Sequence, residues 1–146
     1  MFFERITDNI FIGDYDSACN IDLLCKKNIN NVLNLTDNLL GERIDCNINY
    51  HNVHIHDSIH ENIINYLPQC LSLIDLCINN DQKILVNCYK CYSRSPAIIL
   101  AYLLLKTDLT FSQVYKQLKV RIPKININKS FVTQIKTLYM ITTIKS

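Results

Sequence analysis

Residues 84–96 leave few ways to fold. They read Ile84-Leu85-Val86-Asn87-Cys88-Tyr89-Lys90-Cys91-Tyr92-Ser93-Arg94-Ser95-Pro96. The opening apolar run is short and β-prone, so it reads as a buried strand. Ser95 to Leu105 is an apolar helix, and Pro96 suits its first turn, where a missing N–H needs no partner. Between them lies a short loop. In open α/β sheets such loops sit at the carboxyl ends of strands, where ligands bind. A helix N-terminus there adds free N–H groups and partial positive charge, which suit an oxyanion.

The rest of the chain repeats this alternation. Ile6–Gly13 reads as a short strand pair and Ser17–Lys27 as a helix. Strands follow at Asn31–Leu35 and Tyr50–Ile55, and Asp57–Glu61 reads as a loop and helix start, with Ser58 and Glu61 at capping-box spacing. A long amphipathic helix is expected over Asn62–Asn79, kinked or broken at Pro68. Two more helices are expected over Thr110–Val120 and Ser130–Ile141. Strands alternating with helices imply an α/β fold with a central, mostly parallel twisted sheet flanked by helices. The 146 residues suit one domain spanning residues 1–146.

Cys88 and Arg94 are separated by five residues, a C-x5-R spacing. Wrapped around an anion, residues Tyr89, Lys90, Cys91, Tyr92 and Ser93 would turn successive backbone N–H groups inward. Arg94 can grip two phosphate oxygens in a fork. The same positive field favours the Cys88 thiolate, the nucleophilic form. Attack on phosphorus would give a phosphocysteine that water later releases.

Composition narrows the class. Hydrophobic residues make up 49% and charged residues 19%, the profile of a globular chain. A net charge of +2 is too weak for a nucleic-acid footprint. No apolar run reaches membrane-span length, and no secretory or lipidation signal is evident. Seven cysteines scattered through apolar segments, an odd count, suggest reduced thiols and an intracellular, cytoplasmic home. His51, His54, His56 and His60 cluster near Asp57, but no second ligand group of structural-zinc spacing accompanies them, so neither metal nor cofactor is expected.

On these residues the chain resembles the dual-specificity branch of the cysteine-dependent protein tyrosine phosphatase family. Ile10-Phe11-Ile12-Gly13 with Ala18 resembles the family's opening strand and turn, and Asn31–Thr36 its next strand. Tyr50 through Asp75 follows the family pattern without a gap. Ser93-Arg94-Ser95 with Ala101-Tyr102-Leu103 resembles the helix after the loop, and Arg121, Pro123, Asn128, Phe131 and Gln134 fall on its C-terminal pattern. The compactness is similar to that of poxviral members.

The resemblance implies roles. Cys88 would be the nucleophile, Arg94 the phosphate ligand, and Ser95 an aid to phosphocysteine breakdown. Asp57 would be the general acid, and Asn128 would brace the loop. The implied function is a protein phosphatase acting on phosphotyrosine and phosphoserine or phosphothreonine. Its partner would be a phosphorylated protein, with no nucleic acid and no membrane; nothing specifies an oligomeric state. An RNA 5′-triphosphatase or a phosphoinositide phosphatase would share the chemistry, but the modest charge and single lysine in the loop fit them less well.

The chain departs from the family at four positions. Asn87 replaces a histidine before the nucleophile, and Cys91 replaces a glycine three residues after it. Ile122 replaces an arginine before Pro123, and Ile127 a proline before Asn128. Asparagine cannot carry charge, and a side chain at position 91 resists angles that glycine accepts. These changes keep open a pseudophosphatase that binds phosphoproteins without hydrolysing them. Cys88-Tyr89-Lys90-Cys91 is also a C-x-x-C pair, so Cys91 is either a redox partner for Cys88 or simple packing.

Overall fold

The computed structural model describes residues 1–41 and 47–144. Five strands form one sheet: β1 (Phe3–Arg5), β2 (Ile10–Gly13), β3 (Asn31–Asn34), β4 (Asn49–Asn52) and β5 (Ile84–Asn87). Their order is β1-β2-β5-β3-β4. β1 runs antiparallel to β2, and the other neighbouring pairs are parallel. The helices are α1 (Tyr15–Cys19), α2 (Ile21–Lys26), α3 (Leu67–Asn79), α4 (Arg94–Lys106), α5 (Phe111–Arg121) and α6 (Lys129–Ile144). The fold is α/β with a mostly parallel sheet, as the alternation implied.

Strand alternation divides the core in two. Phe11, Val32 and Leu85 face one way and pack with Ala18, Leu24 and Ile29, around α1 and α2. Ile10, Ile12, Leu33, Ile84 and Val86 face the other way and meet residues of α3 to α6, Ile74, Ile98, Leu118 and Phe131 among them. Strands covered on both faces must be apolar throughout. β2 and β5, buried at every position, satisfy this until the last residue of each.

Those last residues sit side by side: Gly13 pairs in register with Asn87. A side-chain carbon at Gly13 would lie 2.2 Å from Ser17 Oγ, so glycine lets α1 begin close to the strand end. Asp14 caps α1, accepting from the Ser17 N–H at 2.9 Å.

Several elements depart from the sequence expectations. The strand pair begins earlier, at Phe3, because β1 pairs across the turn at residues 6–9. The single helix expected over Ser17–Lys27 is two helices, divided at Asn20, which accepts from the Leu23 N–H and so starts α2 afresh. β4 ends at Asn52; beyond it Val53 and Ile55 still donate to the carbonyls of Asn34 and Leu35, at 2.9 and 3.1 Å. The helix expected over Asn62–Asn79 is a 3-10 turn at Ile63–Asn65 followed by α3, with Pro68 in the first turn of α3 rather than at a kink. Ser58 and Glu61 form no capping box. Ser58 Oγ accepts from the His60 N–H, and Glu61 Oε1 from the His56 N–H, bracing a turn instead of a helix. Among the described residues a capping box joins Thr110 and Gln113 at α5. Of the cysteines taken as reduced thiols, Cys46 lies outside the described residues; the other six are free.

Candidate active site

β5 delivers the chain to Asn87, residues 88–93 turn, and α4 starts at Arg94. The loop is anchored in the larger core, with Cys88 at 2% exposure and Cys91 at 0%. Cys91 stands at φ +66°, the left-handed conformation expected to trouble a residue other than glycine. That conformation costs an L-residue about 1–2 kcal/mol, held here by the surrounding packing.

Ser95, in the first turn of α4, lies beneath the loop. Its hydroxyl is 3.1 Å from Cys88 Sγ and 3.5 Å from Cys91 Sγ. Ser95 Oγ donates to Cys91 Sγ, and in the closer contact with Cys88 Sγ either atom can be the donor. Burial, with the neighbouring Cys88 second, pushes the Cys91 thiol well above its ordinary range, so Cys91 stays protonated near neutrality. Arg94 donates to the Ile55 carbonyl at 3.2 Å, and its guanidinium lies 5.4 Å from the centre of the Tyr89 ring.

Asp57 reaches this loop from the segment after β4. Its Oδ1 accepts from Ser93 Oγ at 3.0 Å and from Asn128 Nδ2 at 3.3 Å. Ser93 Oγ in turn accepts from the Asn128 backbone N–H at 2.9 Å. One hydroxyl therefore joins three distant segments. Asp57, Cys88, Tyr89, Lys90, Tyr92, Ser93 and Arg94 line one cavity of about 270 Å³. A thiol, a guanidinium and a carboxyl group thus share one small cleft. Cys91 and Ser95 lie below it, and Asn128 stands at its edge.

The family profile described as "Dual specificity phosphatase, catalytic domain" matches residues 10–140. The chain belongs to the dual specificity phosphatase family. A probable dual specificity protein phosphatase of Dictyostelium discoideum is 36% identical over 137 residues, covering 87% of this chain and 60% of that protein. Dual specificity protein phosphatase 9 of Homo sapiens is 28% identical over 136 residues, covering 92% of this chain and 35% of that protein. The chain therefore spans 60% and 35% of these two relatives' lengths, in each case less than two thirds. Among solved structures, DUSP15 shares the fold with a TM-score of 0.90 at 22% identity, over 98% of this chain and 90% of that one. The human tyrosine phosphatase-like serine/threonine/tyrosine-interacting protein superposes with a TM-score of 0.87 at 25% identity, over 97% of each chain.

Within this dual specificity phosphatase domain, Asn87 stands in a row the sequence did not reveal. Asn52, Asn34 and Asn87 end three adjacent parallel strands in register. Asn87 Nδ2 donates to Asn34 Oδ1 at 3.1 Å, and Asn34 Nδ2 donates to Asn52 Oδ1 at 2.8 Å. Asn87 Oδ1 is buried without a partner. Sequence reasoning also missed Asp37, which accepts from the Tyr89 hydroxyl. That bond holds the Asp37 carboxyl below its usual range and raises the Tyr89 phenol. The only sequence signal was the strand end at Asn34-Leu35-Thr36, which left the chain near the loop.

The His54 and His56 rings lie 4.2 Å apart. Among the described residues no group of three or more His, Cys, Asp or Glu side chains gathers as a metal site. Among the same residues no helix is long and apolar enough to cross a membrane.

Proposed function

We propose that this domain hydrolyses phosphotyrosine and phosphoserine or phosphothreonine in proteins through a phosphocysteine at Cys88. The observation that carries this reading is the shared cleft: Cys88 with Ser95 Oγ at 3.1 Å, Arg94 at the rim, and Asp57 fixed by Ser93 and Asn128. The Cys88 sulfur lone pair forms the S–P bond while the P–O bond to the leaving oxygen breaks. Asp57 gives its proton to that oxygen. Arg94 and the loop N–H groups hold the phosphoryl oxygens, where charge develops. Water then attacks phosphorus and passes a proton to the Asp57 carboxylate. The P–S bond breaks, inorganic phosphate leaves, and the Ser95 hydroxyl supports the returning thiolate. The free cysteines fit a reducing compartment, which supports a cytoplasmic location.

A second reading rests on specific residues. Asn87 carries an unpartnered buried oxygen next to the nucleophile, and Cys91 occupies a left-handed position. A loop built this way would bind phosphate while turning it over slowly, as a pseudophosphatase does.

Hydrolysis of a small aryl phosphate, with reductant and chelator present, separates the two. Wild type is expected to turn over, and Cys88→Ser to fall by at least about 10³-fold. Equal background rates in both, with phosphate still bound, would replace the enzyme with the binding module.

A further inference from the structure

A second, larger groove of about 870 Å³ opens beside the phosphate cleft. Phe2, Tyr15 and Pro123 form much of its apolar wall, and Tyr89, Lys90 and Tyr92 line both cavities. Its size lies within the range of ligand sites, roughly 300–1,000 Å³.

The groove is fastened to the catalytic loop on both sides. The Tyr15 N–H donates to the Tyr89 carbonyl at 3.1 Å, and the Asn126 N–H donates to the Tyr92 carbonyl at 2.8 Å. The Tyr15 and Tyr89 rings pack with centres 5.6 Å apart. Phe2 is pinned as well: its N–H donates to Asp14 Oδ2 at 2.6 Å, and its carbonyl accepts from the Asp14 N–H at 3.0 Å. Asp14 Oδ1 is engaged by the Ser17 N–H, so both its carboxylate oxygens serve the wall. Lys90 and Lys124 add positive charge to the lining, opposed by the exposed Asp16. A subsite held this firmly loses little freedom when a ligand enters.

Resting on the phosphatase reading above, we infer that this groove receives a bulky apolar side chain of the protein substrate, from a residue flanking the phosphoresidue. Continuity chooses the occupant. A phosphate on Arg94 is bordered by Tyr89 and Tyr92, which remain 39% and 37% exposed, and both also line the groove. An extended peptide advances about 3.3 Å per residue, so a side chain within a few positions can span from one cavity to the next. A phosphopeptide carrying an apolar residue matches both cavities at once.

The test uses fluorescent phosphotyrosine peptides that differ only at the three positions on either side of the phosphoresidue, Leu and Phe in one series, Gly and Ser in the other. Binding to the 146-residue chain carrying Cys88→Ser is read by anisotropy. The apolar series should bind at least about tenfold more tightly. Phe2→Ala and Pro123→Ala, each made in the Cys88→Ser background, should erase that margin and leave the Gly/Ser series unchanged. In otherwise wild-type protein, the same two variants should keep aryl phosphate hydrolysis, which also reports folding. Equal affinity for the two series would overturn the groove assignment alone. Binding of neither series would overturn the phosphoprotein reading with it. Stronger binding to phosphoinositide vesicles, competing with the peptides and lost in Phe2→Ala, would overturn the peptide assignment in favour of an acyl chain.

Discussion

The two halves of the cleft are secured in opposite ways. Cys88, Cys91 and Ser95 are buried, continuous with the largest core, and sit between a buried strand and a buried helix. Asp57 is exposed, on an irregular segment, and meets the loop through Ser93 and Asn128. The Cys88 thiol is therefore placed by the act of folding, whereas the Asp57 carboxyl is placed by polar contacts worth about 1 kcal/mol each. Damage to the first half should appear in stability as well as rate. Damage to the Asp57 carboxyl itself should appear in rate.

The largest test of that contrast is Asp57→Asn. We expect kcat on phosphopeptides to fall by about 10²-fold or more, with the thermal midpoint unmoved. The loss should shrink with an aryl phosphate whose leaving group needs no proton. The pH–rate profile should lose the limb that proton donation creates. An equal loss for good and poor leaving groups would remove Asp57 from the acid role.

Ser93→Ala should come next. It removes the hydroxyl that joins Asp57 to Asn128 and leaves the part-buried Asn128 N–H without its acceptor. Stability should fall by about 1–2 kcal/mol by urea unfolding. The leaving-group dependence of the rate should shift toward that of Asp57→Asn. Stability loss with an unchanged dependence would show that Ser93 serves the fold only.

Cys91→Gly sets two effects against each other. It relieves a left-handed residue, worth about 1–2 kcal/mol, and deletes a buried thiol of comparable value. The urea midpoint should move little, within about 1 kcal/mol, while Cys91→Val should lose clearly more, because branching at Cβ worsens the left-handed strain. A large loss in Cys91→Gly would mean that packing, rather than backbone angle, dominates position 91.

The smallest effect concerns the Asp37–Tyr89 bond, which crosses the open side of the loop. Asp37 has its folded-state pKa lowered, so its contribution is present above its unfolded value, about 3.9. It is lost as pH falls through the folded value. Tyr89 is raised, so its contribution is present below about pH 10 and lost as pH rises through its folded value. Tyr89→Phe should therefore flatten the stability profile slightly at both extremes and leave it nearly unchanged between. Solvent screening at this exposed pair keeps the change small.

Much of the Cys88 half was legible because its information is local. Ile84-Leu85-Val86 announces burial, and the apolar run from Ser95 announces the helix behind it. The spacing of Cys88 and Arg94 needs no distant residue to be read. The Asp57 half was less legible on its own residues. The segment holding Asp57 showed a capping-box pattern at Ser58 and Glu61, but the helix was absent, because Glu61 turned back to the His56 N–H instead. Local spacing cannot tell those two uses of a carboxylate apart.

By itself, the sequence determined the alternating α/β order and the strand–loop–helix that carries Cys88 and Arg94. Both follow from apolar period and residue spacing. Tertiary structure alone decided that Asp57 meets Ser93 across 36 positions and Asn128 across 71. It also decided that asparagines align on three strand ends and that Phe2 walls a groove beside Tyr89. The reason is physical: period specifies which face of an element is buried, whereas a polar side chain's partner depends on where several elements end in space.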